Sequence, residues 1–478
     1  MSPLDRRNFV RTLALAGVAA ETNVELRAVD APAPPDVTRT LARWVVQSRS
    51  NDLPTAVRKE ATRTFLNWVG CAVGAARQEP VDIAIAALSP FAGQGQATVL
   101  GRKERFDVMN AALMNGISSH VFDYDDTHLR TIIHPAGPVA SALLALSEYH
   151  PISGRDFLHA LTSGVEVECR IGNAVYPAHY DAGWHITGTV GPFGAAAAAG
   201  KILGLNEQQM TWALGLAAVQ PVGLKEMFGS MTKSFHPGRA AQNGLVAAFL
   251  AAKNFTSSDH GLEAKTGWAN VLSPARNWDE ITGKLGQSYQ ISLNTYKPFA
   301  CGVVIHPAID GCIQLRNQYH LTADQIDKVE LRVHPLVLEL TGKKTPQTGL
   351  EGKFSVYYAS AVALVAGAAG EKQFSDKLVR DALLIALRDK VSTVIDKSIQ
   401  ADQVRIAVTL KDGRRLDKFV EHVISSVQNP MSDAQLETKF LDLCDGVLPE
   451  PQARKLLALC WNIEKLDSAA QIAKAAAA

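Results

Sequence analysis

The hydrophobic pattern divides the chain near residue 325. Before that point, apolar positions recur at helical spacing. Residues 54–76 open on Pro54, which suits a first helical turn, and then carry Val57, Ala61, Phe65, Val69 and Val73 four residues apart. The same period predicts helices over 155–175, 206–218 and 238–253. Residues 188–204 are mostly Gly, Ala and other small residues. Such a run lets backbones approach closely and predicts a helix buried on all sides. Near residue 325 the period falls to two. Val329, Leu331 and Val333 alternate with Glu330 and Arg332, and Val404, Ile406 and Val408 share one face of Gln403–Leu410. Asp412-Gly413 then favours a tight turn into Arg414–Phe419. Helices are expected between these strands at 354–367 and 376–390, and again from about Ser432.

This pattern predicts a mainly α protein, a large all-helical domain interrupted by a smaller α+β lid. The boundaries read as 36–294 for the helical domain, 295–425 for the lid, and 426–478 for C-terminal helices that rejoin the first domain. The end, Ala475–Ala478, is expected to be loose. No repeat of 20–50 residues is visible.

Composition narrows the function classes. In 478 residues, 48 Lys and Arg against 47 Asp and Glu leave a net charge of +1, which argues against a nucleic-acid binder. The six cysteines form no C-x-x-C pair, so neither a disulfide framework nor a cysteine zinc site is expected. No segment has the roughly 18 apolar residues of a membrane span. Residues 1–35 differ from the rest. Arg6-Arg7 stand ahead of a mild apolar run, Thr12–Ala20, and resemble a twin-arginine export signal, with a Pro-rich linker after it. A periplasmic location follows as the expectation, with a cytoplasmic protein carrying a basic tail as the alternative.

Nucleotide and zinc-hydrolase signatures are missing. Gly93-Gln94-Gly95 lacks the third glycine and the preceding strand of a dinucleotide site, and there is no phosphate loop, His-Glu-x-x-His or G-x-S-x-G. Five segments carry ionisable groups instead. They are His120–His128 with His134 behind it, Gly183–Thr189, Lys233–Gly238, Tyr296–Cys301 with His306 behind it, and Phe354–Tyr358. Taken singly, each has a bland reading: a capping Asp, a solvated Lys, a core Tyr. Three acids and three histidines within fifteen residues could also ligate a metal. The common theme is several cations close to helix starts, which suits a substrate with two or three carboxylates. Imidazoles beside them could move protons near neutral pH.

Together the five segments resemble the MmgE/PrpD family, in the family's order, over most of residues 38–465. The strongest stretches are Phe122–His128, Gly183–Gly191, Met231–Gly244 and Lys297–Asp310. The resemblance implies a helical domain with an α+β lid and a site between them, a homodimer, and chemistry without metal or organic cofactor. It implies a pocket holding Asp123 and Thr127 of the D-x-D-D-T motif, His134, His185, Lys233, Lys297 and Tyr358. Asp123, His134, His185 and Tyr358 would be catalytic, and Thr127, Lys233 and Lys297 would bind substrate. It implies a lyase, dehydratase or decarboxylase, acting on a citrate-like di- or tricarboxylic acid by proton transfer next to a carboxylate. The alternative is an epimerase of a dicarboxylate of the iminodisuccinate type. A polycarboxylate-binding protein without turnover and a helical scaffold are further readings. Two departures from the family pattern stand out. The chain is one residue longer between Thr127 and His134, which could displace His134. Tyr357 stands where Gln is common, which could alter the pocket wall.

Overall fold

The computed structural model describes residues 36–478, so the expected export signal in residues 1–35 lies outside the described residues. The chain is mainly α, with one four-stranded sheet in its second half. Helices α1 (Val37–Gln47), α2 (Thr55–Gly74), α3 (Val108–His120), α4 (Ala136–Tyr149), α5 (Gly154–Val175), α6 (Ile186–Ile202), α7 (Glu207–Ala218) and α8 (Thr232–Ala252) build the larger core. The small-residue helix α6 is its axis: Ile186–Gly200 is buried throughout, and α5 and α8 pack along it. α8 also crosses α3 at a glycine pair. A Cβ on Gly116 would lie 2.4 Å from the Gly238 Cα, so only glycine lets these two helices touch. α8 begins six residues before the periodicity placed it. It runs through Pro237 and forgoes one i to i−4 hydrogen bond there.

Two short strands, β1 (Asp126–His128) and β2 (Asn294–Tyr296), pair antiparallel with Thr127 opposite Thr295. The main sheet contains β3 (Ile326–Val333), β4 (Val391–Ile395), β5 (Val404–Leu410) and β6 (Arg415–Val420) in the order β4-β3-β5-β6. β3 and β4 run parallel and the other pairs antiparallel. The helix expected over 376–390 breaks into two short helices, Asp376–Val379 and Ala382–Arg388, and β4 follows them. Helices α9 (His306–Tyr319) and α10 (Val356–Ala366) pack against the sheet and form a second core with it.

The C-terminal helices α11 (Asp433–Cys444) and α12 (Glu450–Trp461) return to the first core, where Leu436, Phe440 and Leu456 are buried against α2. The final alanines are pinned, contrary to expectation. Ala476 is buried, its carbonyl accepts from Gly101 N at 2.8 Å, and Ala478 N donates to the Arg102 carbonyl. All six cysteines are free and buried. No helix among the described residues is long and apolar enough to cross a membrane.

Candidate active site

The loop after α3 joins the two cores. Phe122 and Tyr124 insert their rings into the second core, while His120 and Asp125–His128 stay buried beside the first helices. Asp123 lies between the two rings with φ of 53°, a left-handed conformation that Asp tolerates better than most residues. This turns its carboxylate away from the core and toward a cleft of about 690 Å³. Its lining includes His120, Asp123, Lys233, Lys353, Phe354 and Phe374.

Two ammoniums meet that carboxylate. Lys233 Nζ, in the first turn of α8, and Lys297 Nζ, immediately after β2, each donate to Asp123 Oδ1 at 2.7 Å. Lys297 Nζ also donates to the Asp123 carbonyl at 2.8 Å. Burial alone would raise the Asp123 pKa, but the two ammoniums hold it well below the usual carboxylate range. Lys233 was expected ahead of a helix; it lies within one, because α8 starts at Thr232.

Beside this group lie three buried imidazoles. The rings of His120 and His134 are 4.7 Å apart, and His185 lies 6.0 and 6.3 Å from them. His120 Nδ1 is 2.7 Å from Asp125 Oδ2. A carboxylate only accepts, so Nδ1 carries the proton and Nε2 is left with a free lone pair. Nε2 is buried and has no partner among the described residues. His134 Nδ1 donates to the Asp126 carbonyl at 2.7 Å and lies 3.3 Å from Asp125 Oδ1, which leaves its Nε2 free in the same way. Asp125 is thus shared by two imidazoles. Burial would raise its pKa, but His120 and His134 bring it well below the ordinary value. Burial lowers His120 to about 4 and holds His185 well below its usual value, so both are neutral at pH 7. Burial and the Asp125 charge raise Asp126 to about 6.

The segment between Thr127 and His134 closes in a tight turn. Thr131 and Ile132 both donate their N–H to the His128 carbonyl, at 3.1 and 2.8 Å, and Ile132 takes φ of 59°. His128 bridges Ile133, so the loop closes and His134 folds back over β1, with Thr127 Oγ1 3.4 Å from its Nδ1. His185 stands at the residue before α6, and its Nδ1 lies 2.8 Å from His236 Nδ1.

Asp123, Thr127, His134, His185, Lys233 and Lys297 therefore come together from four of the five segments. Tyr358 does not join them. It is buried in the second core, its hydroxyl donates to the Gln373 carbonyl at 2.6 Å, and it supports Phe374, which does line the cleft. α10 is apolar on all sides and buried up to Leu364, so the tyrosine follows its helix inward. Tyr357 faces the sheet, where its hydroxyl pairs with Thr393 Oγ1 at 3.0 Å, and it is not part of the cleft lining.

Sequence reasoning assigned no role to His120 or Asp125, although both stand in the first quoted segment. It missed Lys353, which lines the cleft, donates to Glu371 Oε2 at 2.5 Å and reaches the Phe122 carbonyl. It also missed His236 and Lys439. A metal could be held by His120, His134 and His185, or by Asp123, Asp125 and His134. In each set the donor atoms lie within 4.8 Å of one another. The protein's own cations and imidazoles already provide charge and proton acceptors at the same point.

Two domain patterns match the chain: the MmgE/PrpD N-terminal domain over residues 39–281 and the MmgE/PrpD C-terminal domain over residues 299–464. The cis-aconitate decarboxylase-like protein oryM of Aspergillus oryzae is 27% identical over 449 residues, 88% of this chain and 93% of that protein. The cis-aconitate decarboxylase of Aspergillus terreus is 26% identical over 469 residues, 92% and 96% of the two chains. The mitochondrial 2-methylcitrate dehydratase of Yarrowia lipolytica is 25% identical over 278 residues, 54% and 53%. With both domain patterns matched in order across its two cores, this chain belongs to the MmgE/PrpD family.

Proposed function

We propose that the chain is an MmgE/PrpD-type lyase that removes CO₂ or water from a citrate-like di- or tricarboxylic acid. The observation that carries this reading is one carboxylate gripped by two ammoniums beside a cluster of buried imidazoles. Where they meet, Lys233 and Lys297 outnumber Asp123 by one positive charge, a local excess that suits a substrate carboxylate although the wider cleft lining also carries Glu79, Glu371 and Asp376. A substrate carboxylate at these lysines would have negative charge developing on its neighbouring carbon stabilised in place.

The imidazoles then handle the proton. In a dehydration, the Nε2 lone pair of His120 or His134, or the basic nitrogen of His185, takes the proton from the carbon next to the carboxylate. The imidazolium so formed gives its proton to the hydroxyl on the adjacent carbon, the C–O bond breaks, and the group leaves as water. In a decarboxylation, the bond from that carbon to a carboxyl group breaks and CO₂ departs. The electron pair spreads into the carboxylate held by lysine, and an imidazolium delivers a proton to the carbon. Substrate carboxylates beside the histidines favour their charged form, so arrival of the anion makes that imidazolium available. Coverage of nearly the whole length of two relatives named for cis-aconitate decarboxylation, against about half of the dehydratase, supports decarboxylation first. An epimerase needs proton donor and acceptor on opposite faces of one carbon. A single imidazole cluster supports the lyase ahead of it.

The reading needs no metal or organic cofactor. It includes a homodimer, tested by light scattering on the eluting protein. It also includes export by the twin-arginine route, tested by fractionating cells that carry an R6K/R7K variant. The central test is proton NMR of the purified protein in D₂O with cis-aconitate, citrate, 2-methylcitrate and iminodisuccinate. Loss of CO₂ or water from one acid is the expected result. Deuterium entering a carbon without elimination would replace the lyase with the epimerase. H134A should fold and lose turnover, and near wild-type turnover in that variant would remove His134 from the mechanism.

A further inference from the structure

Behind the two-lysine site lies a third lysine that the mechanism does not use. Lys439, on α11, is buried. Its three N–H groups go to three neutral oxygens: Asn67 Oδ1 on α2 at 2.8 Å, the Tyr124 carbonyl at 2.6 Å and the Lys297 carbonyl at 2.8 Å. Its Nζ also stands 3.9 Å over the Tyr124 ring. No carboxylate touches it among the described residues. A buried ammonium without a contacting counter-ion is costly, and it persists where it serves another purpose than stability.

The acceptors indicate that purpose. Tyr124 follows Asp123 directly, and Lys297 is itself one of the two site lysines. The ammonium thus clamps the backbones of both partners of the Asp123–Lys297 pair at one point. The same two strands of chain are tied once more, by the Tyr124 hydroxyl donating to the Pro298 carbonyl at 2.9 Å. Cys71 Sγ, from α2, also approaches the Tyr124 carbonyl, at 3.4 Å.

We propose that Lys439 is a positioning residue, which sets the spacing between the Asp123 turn and Lys297 and thereby the geometry of the carboxylate-binding pair. The proposal rests on the reading of that pair as a substrate site. The groups facing Lys439 from the packed elements are Cys71 of α2, Asp125 and Asp126 at β1, Tyr124, and Lys297. Burial brings its own pKa down to about 8. Its charge is therefore present at neutral pH and lost on the alkaline side.

Three measurements test this. The first is a crystal structure of K439M, whose side chain has nearly the same shape. The expected result is separation of Lys297 Nζ from Asp123 Oδ1 beyond hydrogen-bond range; an unchanged pair overturns the proposal. This readout is independent of turnover, so it stands even if no acid in the panel reacts. The second is steady-state kinetics on the acid that reacts. KM should rise 10-fold or more in K439M with a smaller loss in kcat, whereas kinetics within 2-fold of wild type overturn it. The third uses the wild-type protein alone, so it survives a variant that fails to fold. Its kcat/KM should decline above about pH 8, and a flat profile from pH 7.5 to 9.5 overturns the proposal. A wild type that binds no polycarboxylate while K439M still loses the pair would defeat the substrate reading and leave the clamp standing.

Discussion

Asp123→Asn tests the central electrostatic claim most directly. The substitution keeps the shape but removes the charge that accepts from Lys233 and Lys297 at 2.7 Å. Each pair is worth roughly 6 kcal/mol in gross Coulomb energy at an effective dielectric of about 20. Desolvation offsets most of that, and breaking one partner of a buried pair costs about 3–5 kcal/mol. The Asp123 side chain is 28% exposed, so screening brings the expected loss down to about 2–3 kcal/mol. For a chain of this size that corresponds to a fall in Tm of about 2–3 °C.

The orphaned ammoniums then give the variant a signature that a merely damaged fold lacks. With the carboxylate neutralised, an added polycarboxylate replaces the missing counter-charge. Citrate should raise the Tm of D123N more than that of the wild type, as binding to the folded state alone requires. A second substitution, K233M, should recover part of the loss, because it removes one of the stranded charges. The assay is differential scanning fluorimetry with a citrate titration on the three proteins. D123N melting with the wild type, or equal stabilisation of both by citrate, would refute the reading of Asp123 as the occupant of an anion site.

Gly238→Ala should lower stability by about 1–3 kcal/mol or more, since its Cβ would sit 2.4 Å from the Leu113 carbonyl oxygen. It should also cut activity, because the helices it forces apart carry His120 and Lys233; thermal melts with kinetics decide, and full activity would refute it. Acidification should destabilise the protein. Burial brings His120 to about 4 and His306 to about 3, against about 6.5 unfolded, so between those values the unfolded chain takes up protons that the folded chain does not. Each such group removes roughly 3 kcal/mol by pH 4; a Tm that holds steady or rises from pH 6.5 to 4 would contradict this. Dialysis against EDTA should leave turnover unchanged, and loss restored by one divalent metal would reassign the His120, His134, His185 cluster as a metal site.

The local parts of this site were visible in the chain because each is a short run of unusual residues. D-x-D-D-T, W-H-x-T-G-T and the lysine segments stand out from an otherwise apolar background, and the alternation at 329–333 and 404–410 marks strands buried on one face. What stayed hidden depends on partners far away. Val391–Ile395 is only partly buried and carries no clean alternation, so only its pairing with β3 identifies it as a strand. Lys439 lies in an ordinary amphipathic helix, and nothing nearby distinguishes it from a solvated lysine. Its role depends on Asn67, 372 residues earlier. Tyr358 misled for the opposite reason: its motif position suggested the pocket, but an all-apolar helix turned it into the core.

Those separations also bear on how the site comes to exist. Lys233 meets Asp123 across 110 residues, Lys297 meets it across 174, and Lys439 closes over both from the last fifty residues of the chain. Neither core supplies more than part of the set. The first provides the imidazoles and Lys233, the second receives the Phe122 and Tyr124 rings that aim Asp123, and α11 fastens the junction. Like charges 2.7 Å from a shared oxygen repel each other, so the two ammoniums stay together only while Asp123 is held between them. The arrangement is therefore conditional on both cores being closed. A loosened seam would release the lysines to solvent and admit water to the imidazoles, whose neutral state depends on burial. Binding an anion at the lysines works in the opposite direction: it adds the missing negative charge at the junction and shifts the imidazoles toward the protonated form that proton delivery requires. On the proposed reading, substrate binding at the lysines and readiness of the acid are coupled, so a variant that loosens the seam should raise KM before it abolishes the chemistry.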